Sequence, residues 1–133
     1  MIGNAFSGTS VVFAGVLACM MAFGAGPVAA EDAPIASDAS PEVYKIIAEN
    51  DQFRVLQATW QPGQEDKFHS HVADRVSVFH TDCSLRLTKP DGTYRDAKPK
   101  FGKAAARTGK PVASHKAKNI GDSVCIITIV ELK

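Results

Sequence analysis

The first thirty residues of the chain, Met1 to Ala30, contain no Asp, Glu, Lys or Arg. All 15 basic and all 14 acidic residues follow them. Within this uncharged stretch Ser10–Phe23 is almost wholly apolar, yet it is shorter than the roughly 20 residues a membrane-spanning helix needs. Small residues at Val28-Ala29-Ala30, followed at once by Glu31-Asp32, give the layout of a secretory signal peptide cleaved after Ala30. The alternatives are an uncleaved anchor and lipoprotein processing at Cys19. For the second, Leu17 and the apolar continuation Met20–Phe23 fit poorly. Cleavage leaves no stable membrane span and predicts a periplasmic or secreted protein.

Aromatic residues are scarce, with one Trp, two Tyr and seven Phe. Few of them interrupt the basic segment Arg86–Lys118, so nucleic acid is not an expected partner. No C-x-x-C pair, nucleophile elbow, phosphate loop or dinucleotide motif is present. Glu65 and Asp66 are neighbours that a strand would point to opposite faces, so they make no catalytic carboxylate pair. Cys83 and Cys125 are the cysteines left after cleavage. They are either a disulfide closing a loop of about 40 residues and contributing ~4 kcal/mol, or two small core side chains.

Charge is distributed unevenly. Acidic residues dominate Glu31–Asp74 and basic ones dominate Arg86–Lys118. Such a block is either the solvated face of several strands or an attractor for a small anionic molecule.

Glu31–Pro41 is small, polar and carries two prolines, which predicts a flexible leader. From residue 42 to 133 nothing has helical periodicity over three turns. Short strand-like runs alternate instead with turn residues: Val43–Ala48, Phe53–Trp60, Lys67–Val72, Arg75–Thr81, a run through Cys83, Leu85 and Leu87, Thr93–Ala97, Val112–Asn119 and Val124–Leu132. Lys89-Pro90-Asp91-Gly92 is a hairpin turn, because Pro presets φ and Gly tolerates positive φ. Pro99–Pro111 is too rich in Lys and Ala for a confident strand, though some of it must cross a closed barrel. About eight short strands predict an all-β sandwich, jelly roll or barrel. Trp60, Phe68 and Phe79 are expected in its core, and His80 is expected to be an ordinary strand residue.

The sharpest chemistry lies in His69-Ser70-His71. On a strand these two imidazoles share a face about 7 Å apart at the backbone, which lets both reach one metal ion. His115 is the natural third ligand.

Gly63, five residues, then His-x-His resembles the start of the first cupin motif. His115, three residues, then Asn119 resembles the end of the second. The resemblance covers residues 42–133 and implies a cupin-type double-stranded β-helix, a jelly-roll barrel. It implies a divalent transition metal (Fe, Mn, Ni, Zn or Cu) on His69, His71 and His115, and oxygen-dependent oxidation of a small molecule. It also implies a homodimer. Two departures stand out: Arg75 and Val76 occupy the place of the first motif's Glu ligand, and the P-x-G ahead of the second-motif His is missing. Arg75 would then sit at the rim and, with Arg107, orient an anionic group or pair with Asp74. The alternative is a non-catalytic cupin that binds a small anionic ligand or serves as a dimeric structural module.

Overall fold

The computed structural model of the protein describes residues 33–133, so the expected signal peptide lies outside the described residues. After a single short helical turn, α1 (Ala36–Ala39), the chain forms strands β1 (Tyr44–Glu49), β2 (Phe53–Trp60), β3 (His69–His71), β4 (Arg75–Phe79), β5 (Leu85–Thr88), β6 (Tyr94–Ala97), β7 (Ala104–Arg107), β8 (Val112–Asn119) and β9 (Cys125–Leu132). They build two antiparallel sheets, one ordered β1-β2-β9-β4-β7 and the other β3-β8-β5-β6. Among the described residues no helix is long and apolar enough to cross a membrane.

Alternation along the strands decides which side chains meet between the sheets. β9 is the clearest case: Cys125, Ile127, Ile129 and Glu131 are buried, and the residues between them are not. It pairs along its whole length with β2, from Phe53↔Leu132 to Trp60↔Cys125. Leu56, Ala58 and Trp60 therefore join Ile127 and Ile129 in the core. Each large side chain buried this way contributes about 1.5–3 kcal/mol. Cys83, just ahead of β5, is bonded to Cys125 at the start of β9, so a disulfide ties one sheet to the other. The β5–β6 hairpin turns at Gly92, whose φ of 83° is the left-handed value foreseen for that turn.

Three expectations need correction. The flexible leader does not extend to Pro41. From Ala33 on, the segment packs against β3 and β8: Ala33 N–H donates to Ala113 O, Ser70 N–H donates to Pro34 O, and Ile35 bridges to Ser70. Ala36, Ala39 and Ser40 are buried, and Ser40 Oγ accepts from Lys67 N–H at 2.8 Å. Phe68 is not core but 37% exposed, under the Lys116 ammonium. The inward turn of His69 obliges its neighbour to face out. Asp74 accepts from Gly109 N–H and forms no ion pair with Arg75 among the described residues. His80 is exposed and shares a hydrogen bond with Thr128 Oγ1. The least legible stretch, Pro99–Pro111, contains β7, an edge strand paired with β4.

Candidate metal centre

His69 and His71 both point inward from β3, and His115 on β8 is the register partner of His69. The register slips by one residue between this pair and His71↔Val112. The three rings meet at centroid distances of 4.8 Å (His69–His71), 4.6 Å (His69–His115) and 5.2 Å (His71–His115).

Hydrogen bonds fix which ring nitrogens face the centre. His69 Nδ1 lies 2.8 Å from Lys67 O, and His71 Nδ1 lies 2.9 Å from Glu131 Oε1. A carbonyl and a carboxylate only accept, so both Nδ1 atoms carry the proton and both Nε2 atoms present lone pairs. Those Nε2 atoms are 3.1 Å apart, and His115 Nε2 is 3.0 Å from that of His69. Tyr44 Oη is also 3.1 Å from His69 Nε2, but its proton goes to Asp66 Oδ2 at 2.9 Å. With Nδ1 of both rings protonated, the Nε2 lone pairs of His69 and His71 face each other at 3.1 Å and repel unless a cation stands between them. Two nitrogens bound to one ion at about 2.1 Å and at right angles are about 3.0 Å apart. The residues therefore fit a metal ion, and among the described residues these three histidines are the group that could hold one.

The electrostatics keep the ligands ready. Burial, reinforced by His71, lowers the His69 pKa to about 4. Burial, then the charges of His69, His71, Arg75 and Arg95, lowers that of His115 to about 3. Both rings are thus neutral at physiological pH, the form a metal requires.

Two carboxylates escaped the sequence reading. Glu131 occupies the inward parity of β9 and orients His71, a partner a ligating histidine commonly has. Asp66 is buried and accepts from Tyr44 Oη, Trp60 Nε1 (3.1 Å) and Ala117 N (2.6 Å). Burial raises its pKa to about 6 against the pull of these donors. Strand parity was the available signal for Glu131, because Cys125, Ile127, Ile129 and Glu131 share one face.

Arg75 and Arg107 face each other across β4 and β7 and line the same interior as His71 and His115. Arg75 donates to Val72 O at 2.7 Å. Burial, with Arg107 adding to it and Glu131 opposing, lowers its pKa. Arg95 on β6 joins them, a residue the sequence reading did not single out. The half-open space they line is about 150 Å³. A larger cleft of about 680 Å³ meets it at His115, walled by the β5–β6 hairpin and by Pro111–Ser114.

No family model matches the sequence, and no curated protein matches it. Solved structures do. A cupin domain from Bordetella pertussis Tohama I is 25% identical, with a TM-score of 0.61, over 76% of this chain and 96% of that one. An RmlC-like cupin family protein with a double-stranded β-helix fold, from Methanocaldococcus jannaschii, is 12% identical with a TM-score of 0.52, over 68% of this chain and 78% of that one. The chain has the small RmlC-like cupin fold, a double-stranded β-helix, and carries within it a histidine cluster positioned to hold a metal ion.

Proposed function

We propose that this protein is an exported cupin that holds a divalent transition metal on His69, His71 and His115 and oxidises a small anionic molecule with dioxygen. The observation that carries this reading is the cluster of three imidazoles whose ligand atoms all lie within 4.8 Å of one another, with His69 Nε2 3.1 Å from that of His71 and 3.0 Å from that of His115, and with two of the rings fixed by acceptors at Nδ1. A bound ion would supply a Lewis-acid centre and a template for substrate and dioxygen. Three neutral donors leave several positions of a six-coordinate ion open, and Fe, Mn, Ni, Zn and Cu all accept imidazole. Arg75 and Arg107 orient the anionic group. Export is supported by the uncharged leader and by the Cys83–Cys125 bond, which suits an oxidising compartment. Exposed Phe53, Val76 and Leu132 on the five-stranded sheet support pairing of two copies.

The test is metal content by mass spectrometry of the exported protein, purified without chelator or nickel, beside His69→Ala/His71→Ala. About one transition metal per chain, absent from the variant, is the expected result. No metal in either protein, even after Fe²⁺, Mn²⁺ and Zn²⁺ are offered, leaves a cupin that binds small anions without catalysis.

A further inference from the structure

The interior beside the histidines has one cationic pole of its own and a second that a bound metal would supply. The second is the imidazole cluster, a cationic pole once a metal is held there, on the β3–β8 side. The first is formed by Arg75 and Arg107 on the opposite sheet, with Arg95 of β6 at the rim. Between them the walls are mainly apolar, with Phe79, Leu87, Ile127 and Ile129 among them. No Asp or Glu among the described residues lines the space.

The arginine pole is only partly compensated: Arg95 and Arg107 are exposed to solvent, and buried Glu131, the register partner of Arg75 on β9, attracts its charge. Arg75 and Arg107 are direct register partners, and like charges opposed across a strand pair are destabilising. Among the described residues none of Arg75, Arg95 and Arg107 forms an ion pair. They come from three strands, β4, β6 and β7, so their meeting is a product of the fold and not of a basic run in the sequence. A second feature points the same way. The gap between the edge strands β6 and β7 forms a cleft of about 520 Å³ that shares Leu87, Arg95 and Arg107 with the interior. Lys98, Lys100 and Lys103 add to its walls, Lys100 being paired with Asp82 at 2.8 Å, and again no carboxylate is among the lining residues. A cleft of one sign of charge draws anions inward.

We propose that the substrate is a short-chain dicarboxylate, admitted between β6 and β7. One of its carboxylates is held by the Arg75, Arg95 and Arg107 guanidinium groups, its carbon chain lies against the apolar walls, and its other end faces the histidines. Planar guanidinium forks match carboxylate oxygens two at a time. A space of about 150 Å³ equals roughly five water volumes at ~30 Å³ each, so the part of the ligand held inside is compact. The assignment of the far end rests on the metal reading; the arginine pole does not.

The test is calorimetric titration of malonate, succinate, acetate and phosphate into the metal-free and the Zn²⁺-loaded protein. The proposal expects succinate or malonate to bind the metal-free protein, to bind at least about tenfold more weakly to Arg107→Gln and to Arg75→Gln, and to be unaffected by Lys45→Gln on the distant β1. Zn²⁺ should tighten the dicarboxylates more than acetate. Because like-charge opposition is relieved, Arg107→Gln should melt no lower than the parent in anion-free buffer and lose the rise in melting temperature that succinate gives. Succinate bound no better than acetate, or equally well by both Arg→Gln variants, would overturn the proposal. So would tighter binding of phosphate, which would move the ligand to phosphate esters. If succinate binds through the arginines and no metal is retained, the metal-dependent function fails and the arginine pole stands. If metal binds and dicarboxylates do not, the reverse holds.

Discussion

Buried His69 and Asp66 and half-buried His115 make the stability of the metal-free protein depend on pH in a defined direction. Unfolded, His69 and His115 titrate near 6.5; folded, burial holds them at about 4 and about 3. Between about pH 4 and 6.5 the unfolded chain therefore binds two protons that the folded chain excludes, and stability falls as pH falls. Asp66 works the other way. Its pKa is about 6 folded and 3.8 unfolded, so between those values the folded state holds a proton that the unfolded state lacks, and its contribution falls as pH rises. From about pH 4 to 6 the balance is one more proton on the unfolded state. Stability should then rise with pH by the equivalent of about one proton, roughly a few kcal/mol across the window.

Urea unfolding in a chelator at several pH values across that window measures this slope. Asp66→Asn removes the opposing group, so the slope should steepen to about twice the parent's. His115→Ala removes one of the two histidines and should bring it near zero, whatever the variant does to absolute stability. A flat or inverted wild-type profile, or an Asp66→Asn profile no steeper than the parent, would refute the assignment of neutral, buried imidazoles beside a protonated carboxyl.

Other consequences follow from single contacts. The disulfide spans 42 residues and joins the two sheets, so Cys83→Ala/Cys125→Ala, or reduction, should cost about 4 kcal/mol and lower the melting temperature by about 20 °C. A shift of only a few degrees would show that packing alone holds the sheets together. Glu131→Gln keeps an acceptor for His71 Nδ1 but removes its charge, and metal affinity should fall by about tenfold or more in competition with a chelating dye. Asn119 is wholly buried and donates to Trp60 O and Ser123 O while accepting from Gly121 N. Asn119→Ala leaves those three groups unpaired and should cost about 2–4 kcal/mol in urea unfolding, without removing a metal ligand.

Much of this architecture was legible because strands with one buried face write their fold into alternation. Cys125–Leu132 and Phe53–Trp60 show it plainly, and the two histidine half-motifs located the metal candidates. Other parts left weaker traces. Ala104-Ala105-Ala106-Arg107 has almost no apolar signal, yet forms β7 because β4 offers it a ladder of backbone partners. Ala33–Ser40 docks through backbone hydrogen bonds and small side chains, which no hydropathy pattern announces. Glu131, Asp66 and Arg95 were missed for a shared reason. A charged residue at an inward position resembles noise in an apolar pattern until the facing strand shows what it meets.

The departure at Arg75 changes meaning once β9 is considered. The first motif's Glu would place a negative charge directly among the ligands. Here the nearest carboxylate belongs to Glu131, the register partner of Arg75 on β4 and of Arg54 on β2, and it holds His71 Nδ1. The carboxylate has thus moved from the ligand position to the partner position behind a ligand. Its charge still favours His71 as a donor, while no anionic ligand neutralises the centre. With Arg75 and Arg107 on the facing sheet, the interior keeps more positive charge than a site with three histidines and a glutamate would. A cavity charged in that way retains a neutral substrate poorly and a doubly anionic one well. On the proposed reading, Arg75, the residue that makes the motif look incomplete, would set the charge of the ligand.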